Sequence, residues 1–201
     1  MKIRVHKETR PGERRVALVP AGVASLVAAG HEVVVPSGAG DESGFDDASY
    51  QEAGATISES HVCDLLVGVG PLTVADAADA ERALGFMDPL GQPAEMQAFA
   101  DAGITVYAME FVPRTTKAQS MDALSSQATV AGYEAVLLAA SASPRFFPML
   151  MTAAGTIRPS KVLVLGAGVA GLQAIATARR LGTVVSGYDI RPAAREQVES
   201  L

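Results

Sequence analysis

"KVLVLGAGVAGLQAIATARRLGTVVSGYDIRP", residues 161–192, decides the fold. An apolar run, Lys161–Leu165, ends at Gly166, and Gly168 and Gly171 complete a G-x-G-x-x-G spacing. An alanine-rich apolar stretch follows to Leu181; Gly182 stops it, and a second β-rich run ends at Asp189. A glycine triplet alone is weak. A buried strand before it, a helix opened by it and an acid roughly 20 residues on make a dinucleotide fingerprint.

Each residue type there has a physical role. Gly166 permits the tight turn, Gly168 lets backbone approach a pyrophosphate, and Gly171 lets helix pack on strand. Amides of Val169 and Ala170 then point at phosphates from the helix N-terminus. Asp189 would accept from the adenosine ribose hydroxyls and repel a 2′-phosphate, so NAD(H) is expected rather than NADP(H). Arg191, just beyond Ile190, is the complication, because an arginine there can pair with such a phosphate. The strand-tip position of Asp189 decides the expectation.

Working outward, the same grammar recurs. "AAGHEVVV" with Gly30, "EAGATI" with Gly54, "DAGITVYA" with Gly103 and "RLGTVVSGY" with Gly182 each place a glycine between a helix-like stretch and a β-rich run. Glycine after a helix closes it in the left-handed conformation and turns the chain into a strand. Repeated, this builds βαβ units and a mostly parallel sheet. The runs "DLLVGVG" and "KVLVLG" read as strands covered on both faces.

Strands are expected near Ile3–Val5, Glu32–Val35, Leu65–Val69, Leu84–Phe86, Ile104–Met109, Lys161–Leu165 and Thr183–Tyr188. Helices are expected near Pro20–Ala29, Asp47–Ala53, Pro93–Ala102, Met121–Ala142, Val169–Leu181 and Pro192–Ser200. The fold class is α/β, with two Rossmann-like domains of mostly parallel sheet. Residues 1–142 form the first, and the proline-bearing segment 143–160, irregular in pattern, is the linker. Residues 161–201 begin the second, which two strands leave incomplete in this chain.

Composition excludes several classes. Charged residues are 19% and the hydrophobic class 49% of 201 residues, so a packed core is expected and disorder is not. A net charge of −6, with no basic stripe, argues against nucleic acid. No apolar run approaches the roughly 20 residues of a membrane span. Cys63 is the sole cysteine and fits a reducing compartment; with His61 it falls short of a metal site. No metal is expected. His31, after a helix-closing glycine, is expected to be solvent-facing or bonded locally.

The stretch "RTTKAQSMDALSSQ", residues 114–127, concentrates polar side chains between two apolar segments. A strand ends near Met109 and a helix begins near Met121 with Ser120 as the expected cap. Asp122 and Ser125 share a face at i, i+3. Capping explains Ser120 and Asp122 but leaves Arg114, Gln119 and two serines over. A loop at the carboxyl end of a strand is also where α/β folds bind ligands. Both readings stand on the residues alone.

Three stretches carry a resemblance: "KETRPGERRVALVP", "PRTTKAQSMDALSSQATVAGYEAVLLAA" and "TAAGTIRPSKVLVLGAGVAGLQAIATARRLGTVVSGYDIRPAAREQVESL". Together they are similar to the proton-translocating NAD(P) transhydrogenase alpha subunits, within the alanine dehydrogenase/transhydrogenase superfamily. The resemblance implies Re/Si-specific transhydrogenation: direct hydride transfer between NADH on this component and NADP+ on a partner component. It also implies a homodimer, an NADP-binding partner, and a membrane component that makes the assembly a proton translocase. The chain itself would be cytoplasmic and peripheral to the inner membrane through those subunits, and inactive alone.

By the same likeness, Arg114, Asp122 and Ser125 would hold the nicotinamide end, and Gln119 would reach toward the second nucleotide. Ser120 and Met121 would belong to that loop, and Asp189, Ile190 and Arg191 would contact the adenosine ribose. Direct hydride transfer needs no acid, base or metal; alignment and exclusion of water suffice. The rival reading is alanine dehydrogenase. That relative carries a lysine where this chain has Gly68 and a histidine that "GFMDPLG" lacks, leaving Arg15, which also reads as a loop ion pair. A non-catalytic nucleotide-binding or dimerisation module is the third reading.

Overall fold

The computed structural model describes residues 1–200. The chain divides into two compact units, Met1–Ala118 and Gln119–Leu201.

The first unit holds β1 (Lys2–Val5), α1 (Pro20–Ala28), β2 (Glu32–Val35), α2 (Asp47–Glu52), β3 (Thr56–Ile57), β4 (Cys63–Val67), β5 (Ala80–Gly85), α3 (Pro93–Asp101) and β6 (Thr105–Ala108). All six strands pair in parallel in the order β3-β2-β1-β4-β5-β6. That is the doubly wound order, and it reverses between β1 and β4. Strand alternation sends Ile3, Val5, Val33 and Val35 into a core with Tyr50 and Val23 on one face. Leu66 and Ala83 pack with Phe99, Leu72 and Met87 in a second core. Phe99 is 1% exposed, burial that favours folding by about 2–3 kcal/mol. Both cores are needed because a parallel sheet buries both its faces.

The second unit holds α4 (Ala123–Ala142), β7 (Leu150–Thr152), β8 (Gly155–Ile157), β9 (Lys161–Leu165), α5 (Val169–Arg180), β10 (Val184–Tyr188) and α6 (Pro192–Glu199). β9 and β10 pair in parallel; β7 and β8 form an antiparallel hairpin. Val136 of α4, Phe147 and Ala178 of α5 make its core, with Val162 and Val185 beneath. α4 approaches α5 so closely that a Cβ on Gly132 would overlap the Ala170 carbonyl.

The glycine grammar holds in detail. Gly30, Gly54, Gly103 and Gly182 all have φ between 72° and 93°, the left-handed region open to glycine at helix ends. Several expectations differ. The sequence pattern assigns the long helix to the first domain, but it packs on α5 within the second unit, because Gly132 and Val136 face that helix. Segment 143–160, irregular in its sequence pattern, contains the β7–β8 hairpin, closed by Thr152 Oγ1, which accepts from Ala154 N and donates to the Gly155 carbonyl. Among the described residues β9 is covered on one face: Val162 and Val185 lie under α5, and Leu163, Leu165 and Tyr188 are exposed.

Candidate nucleotide-binding site

The glycine turn is built as its spacing demands. Gly166 leaves β9 at φ 93°, and its N–H donates to the Tyr188 carbonyl at 2.7 Å, tying the turn to β10. Gly168 is the extended cap residue of α5, and no side chain caps that helix. The first-turn amides of Val169 and Ala170 therefore have no intrahelical acceptor. A Cβ on Gly168 would meet nothing within 4 Å, so the backbone there is open to approach. A Cβ on Gly171 would overlap the Gly166 carbonyl, which makes that glycine obligatory for the turn itself.

Asp189 follows the tip of β10, and its carboxylate reaches back to this turn. Oδ2 accepts from Ala167 N at 2.8 Å; Oδ1 accepts from Arg191 N at 2.8 Å and Arg191 Nε at 3.0 Å. Arg191 Nη2 donates to Oδ2 at 3.0 Å and also to the Ala167 carbonyl at 3.3 Å. The Arg191 side chain, then its backbone amide and that of Ala167, hold the Asp189 carboxyl well below the usual carboxylate range. The Asp189 carboxylate is thus ionised and anchored to the glycine turn. Ile190 is exposed. Sequence reasoning missed Ala167, which contributes through its backbone alone and so leaves no side-chain signature.

The polar stretch folds as a loop, a 3-10 turn over Gln119–Met121, and then α4. The cap is Asp122, not Ser120: Asp122 Oδ1 accepts from Ser125 N at 2.9 Å, and Oδ2 accepts from Ser125 Oγ at 2.6 Å. The helix starts two residues later than expected because the carboxylate meets the amide three residues on, and Ser120 falls inside the 3-10 turn. Ser126 Oγ donates to the Asp122 carbonyl at 3.1 Å. Arg114, Gln119, Ser120 and Met121 stand exposed. Ser125 lies about 10 Å along α4 from Gly132, where α4 meets the start of α5. The second unit therefore places Gln119, Asp122 and Ser125 at the start of the helix that packs against the glycine turn's own helix. Arg114 belongs to the first unit.

Two family models cover the chain: alanine dehydrogenase/PNT, N-terminal domain, over residues 4–131, and alanine dehydrogenase/PNT, C-terminal domain, over residues 135–201. The chain belongs to the alanine dehydrogenase/PNT family. Within it, the chain is 47% identical to an NAD(P) transhydrogenase alpha-subunit polypeptide of Rhodospirillum rubrum, across 100% of this chain and 56% of the relative. Its structure is similar to a transhydrogenase from Sinorhizobium meliloti, with TM-score 0.96 and 47% identity, covering 100% of this chain and 62% of that one. An L-alanine dehydrogenase structure matches at TM-score 0.86 and 26% identity, over 58% of its length. The chain thus spans little more than half of these family members.

Among the described residues no group of three or more His, Cys, Asp or Glu is arranged to hold a metal, and no helix is long and apolar enough to cross a membrane. Cys63 is buried, and burial pushes its thiol up. Arg15 forms a loop ion pair, with Glu13 at 2.6 Å. His31 is half-buried: its backbone N–H donates to the Leu26 carbonyl at 3.1 Å, and its Nδ1 is buried with no hydrogen-bond partner among the described residues.

Proposed function

We propose that this chain is the NAD(H)-binding component of a proton-translocating transhydrogenase. The observation that carries this reading is the anchoring of Asp189 to the glycine turn through Ala167 N. It sets an ionised acceptor beside uncapped helix amides, which is the donor and acceptor set a dinucleotide's ribose and pyrophosphate require. Family membership and the 47% identity to an NAD(P) transhydrogenase alpha subunit support the same reading.

The residues divide the work. Val169 and Ala170 amides receive the pyrophosphate, and Gly168 lets the backbone come close. Asp189 takes the adenosine ribose hydroxyls, and Ile190 and Arg191 border that end. Arg114, Asp122 and Ser125 orient the nicotinamide end with Ser120 and Met121 beside them, and Gln119 reaches toward NADP(H) on the partner component. When bound, the nicotinamide supplies the hydride. The chain's own role is alignment and exclusion of water, since none of these side chains has to move a proton. The chain works as a homodimer, peripheral to a membrane component, and does not turn over without the NADP-binding partner.

The test is a titration of the purified chain with NADH, followed by fluorescence, and then addition of the NADP-binding component with hydride exchange followed optically. Saturable NADH binding without turnover, then exchange once the partner is added, is the expected result. No binding at millimolar NADH would leave a scaffold module instead. Alanine-dependent reduction of NAD would assign the chain to the dehydrogenase branch.

A further inference from the structure

In open α/β sheets, ligands enter the crevice outside the carboxyl ends of the strands where the strand order reverses. In the first unit that place lies between β1 and β4, and here it is filled from within. β4 runs on into Gly68, Val69 and Gly70, and two successive amides point at one oxygen. Glu8 Oε1 accepts from Val69 N at 2.6 Å and from Gly70 N at 3.4 Å. Converging amides of this kind form an anion nest, and a side chain of this same chain occupies it. The Glu8 side chain is only 6% exposed.

Arg10 seals the arrangement. Its guanidinium lies against Gly70 so closely that any Cβ at that position would overlap it. Arg10 Nη2 reaches Glu8 Oε2 at 3.4 Å and Glu13 Oε2 at 3.2 Å. Glu13 in turn accepts from Arg15 Nε at 2.7 Å and Nη2 at 2.6 Å. Two glutamates and two arginines thus satisfy one another over the end of β4.

We propose that Glu8 is a specificity-determining residue: it stands in for a ligand carboxylate on the Val69–Gly70 amides and, with Arg10 seated on Gly70, closes this crevice to small carboxylates. A tethered carboxylate competes at the effective concentration of an intramolecular group, about millimolar or more, so a dissolved acid of ordinary weak affinity does not displace it. A side chain at position 70 would unseat Arg10, so glycine there is part of the device. This inference concerns the first unit alone and stands or falls independently of the nucleotide reading.

The experiment follows the Val69 and Gly70 amide resonances of the full chain while sodium acetate is added, against sodium chloride at matched ionic strength. In the wild-type chain neither resonance is expected to move. In Glu8→Ala both shift saturably, with an apparent Kd at least about tenfold below any measured in the wild type. Glu8→Gln keeps an acceptor oxygen on the amides and stays closed. Equal shifts in wild type and Glu8→Ala, or shifts in Glu8→Ala confined to other residues, would overturn the proposal. If Glu8→Ala does not fold in chloride, its refolding yield in acetate is the readout. Recovery in acetate alone supports the inference, and no recovery, with Glu8→Gln folded, refutes it.

Discussion

Arg191 grips Asp189 with three donors: its backbone N at 2.8 Å, Nε at 3.0 Å and Nη2 at 3.0 Å. Ala167 N adds a fourth at 2.8 Å. A carboxylate offers about four lone-pair sites, so every acceptor position that an adenosine ribose would use is taken. In the proposed site, ribose hydroxyls would reach Asp189 only if the exposed Arg191 guanidinium gave up its bonds.

Two substitutions separate the roles. Asp189→Ala is expected to weaken NADH binding at least about tenfold, roughly 1.4 kcal/mol. Arg191→Ala removes two side-chain donors and leaves Asp189 on Ala167 N and the residue-191 backbone amide, so NADH affinity is expected to rise several-fold. Fluorescence titration reads both; a loss of affinity in Arg191→Ala would mean that the guanidinium itself holds nucleotide.

Glu13 sets an acid limit on the first unit. Side-chain hydrogen bonds from Arg15, together with its backbone amide and charge, lower the Glu13 carboxyl from 4.5 to about 2. A carboxyl lowered by folding contributes stability that is present above its unfolded value and lost as pH falls through the folded one. Urea unfolding should therefore find Glu13→Gln less stable than wild type at neutral pH. The gap should close between about pH 4.5 and pH 2; a gap that persists unchanged at pH 2 contradicts the assignment.

Two helix glycines should respond oppositely to alanine. Gly132→Ala drives a methyl into the Ala170 carbonyl and is expected to destabilise the second unit by about 1–3 kcal/mol. Gly22→Ala in α1 meets only Leu18 Cδ2 at 3.8 Å, an ordinary contact, so helix propensity should stabilise by about 0.5–1 kcal/mol. Thermal unfolding of the two variants reads the difference in sign.

Capping and ligand binding can be pulled apart along the polar stretch. Asp122→Ala removes the cap from α4 and is expected to lower stability by about 1 kcal/mol. Gln119→Ala, at an exposed side chain, should leave the unfolding curve within about 0.5 kcal/mol while hydride exchange with the NADP-binding component falls. Exchange unchanged in Gln119→Ala would remove that residue from the proposed site.

Most of the secondary structure was legible because its signals are local. Pro20, Pro93 and Pro192 open helices, and glycines at 30, 54, 103 and 182 close them, as the backbone conformations bear out. The β7–β8 hairpin was not legible: its residues are mostly exposed, so no buried face imposes the alternation by which strands are read. The cap of α4 falls two residues beyond its expected place because serine and aspartate are near-equal caps, and only the Asp122–Ser125 hydrogen bonds distinguish them.

The order of residues by itself determined the βαβ grammar, the glycine turn and the presence of an acid after β10. Each is a demand on a few consecutive dihedrals, or on the period at which side chains meet a face. Tertiary structure alone decided what the charged groups grip. Glu8 finds amides 61 and 62 residues away, and Asp189 finds Ala167 N 22 residues back. Such pairings follow from parallel strands ending side by side, a proximity that no local spacing encodes.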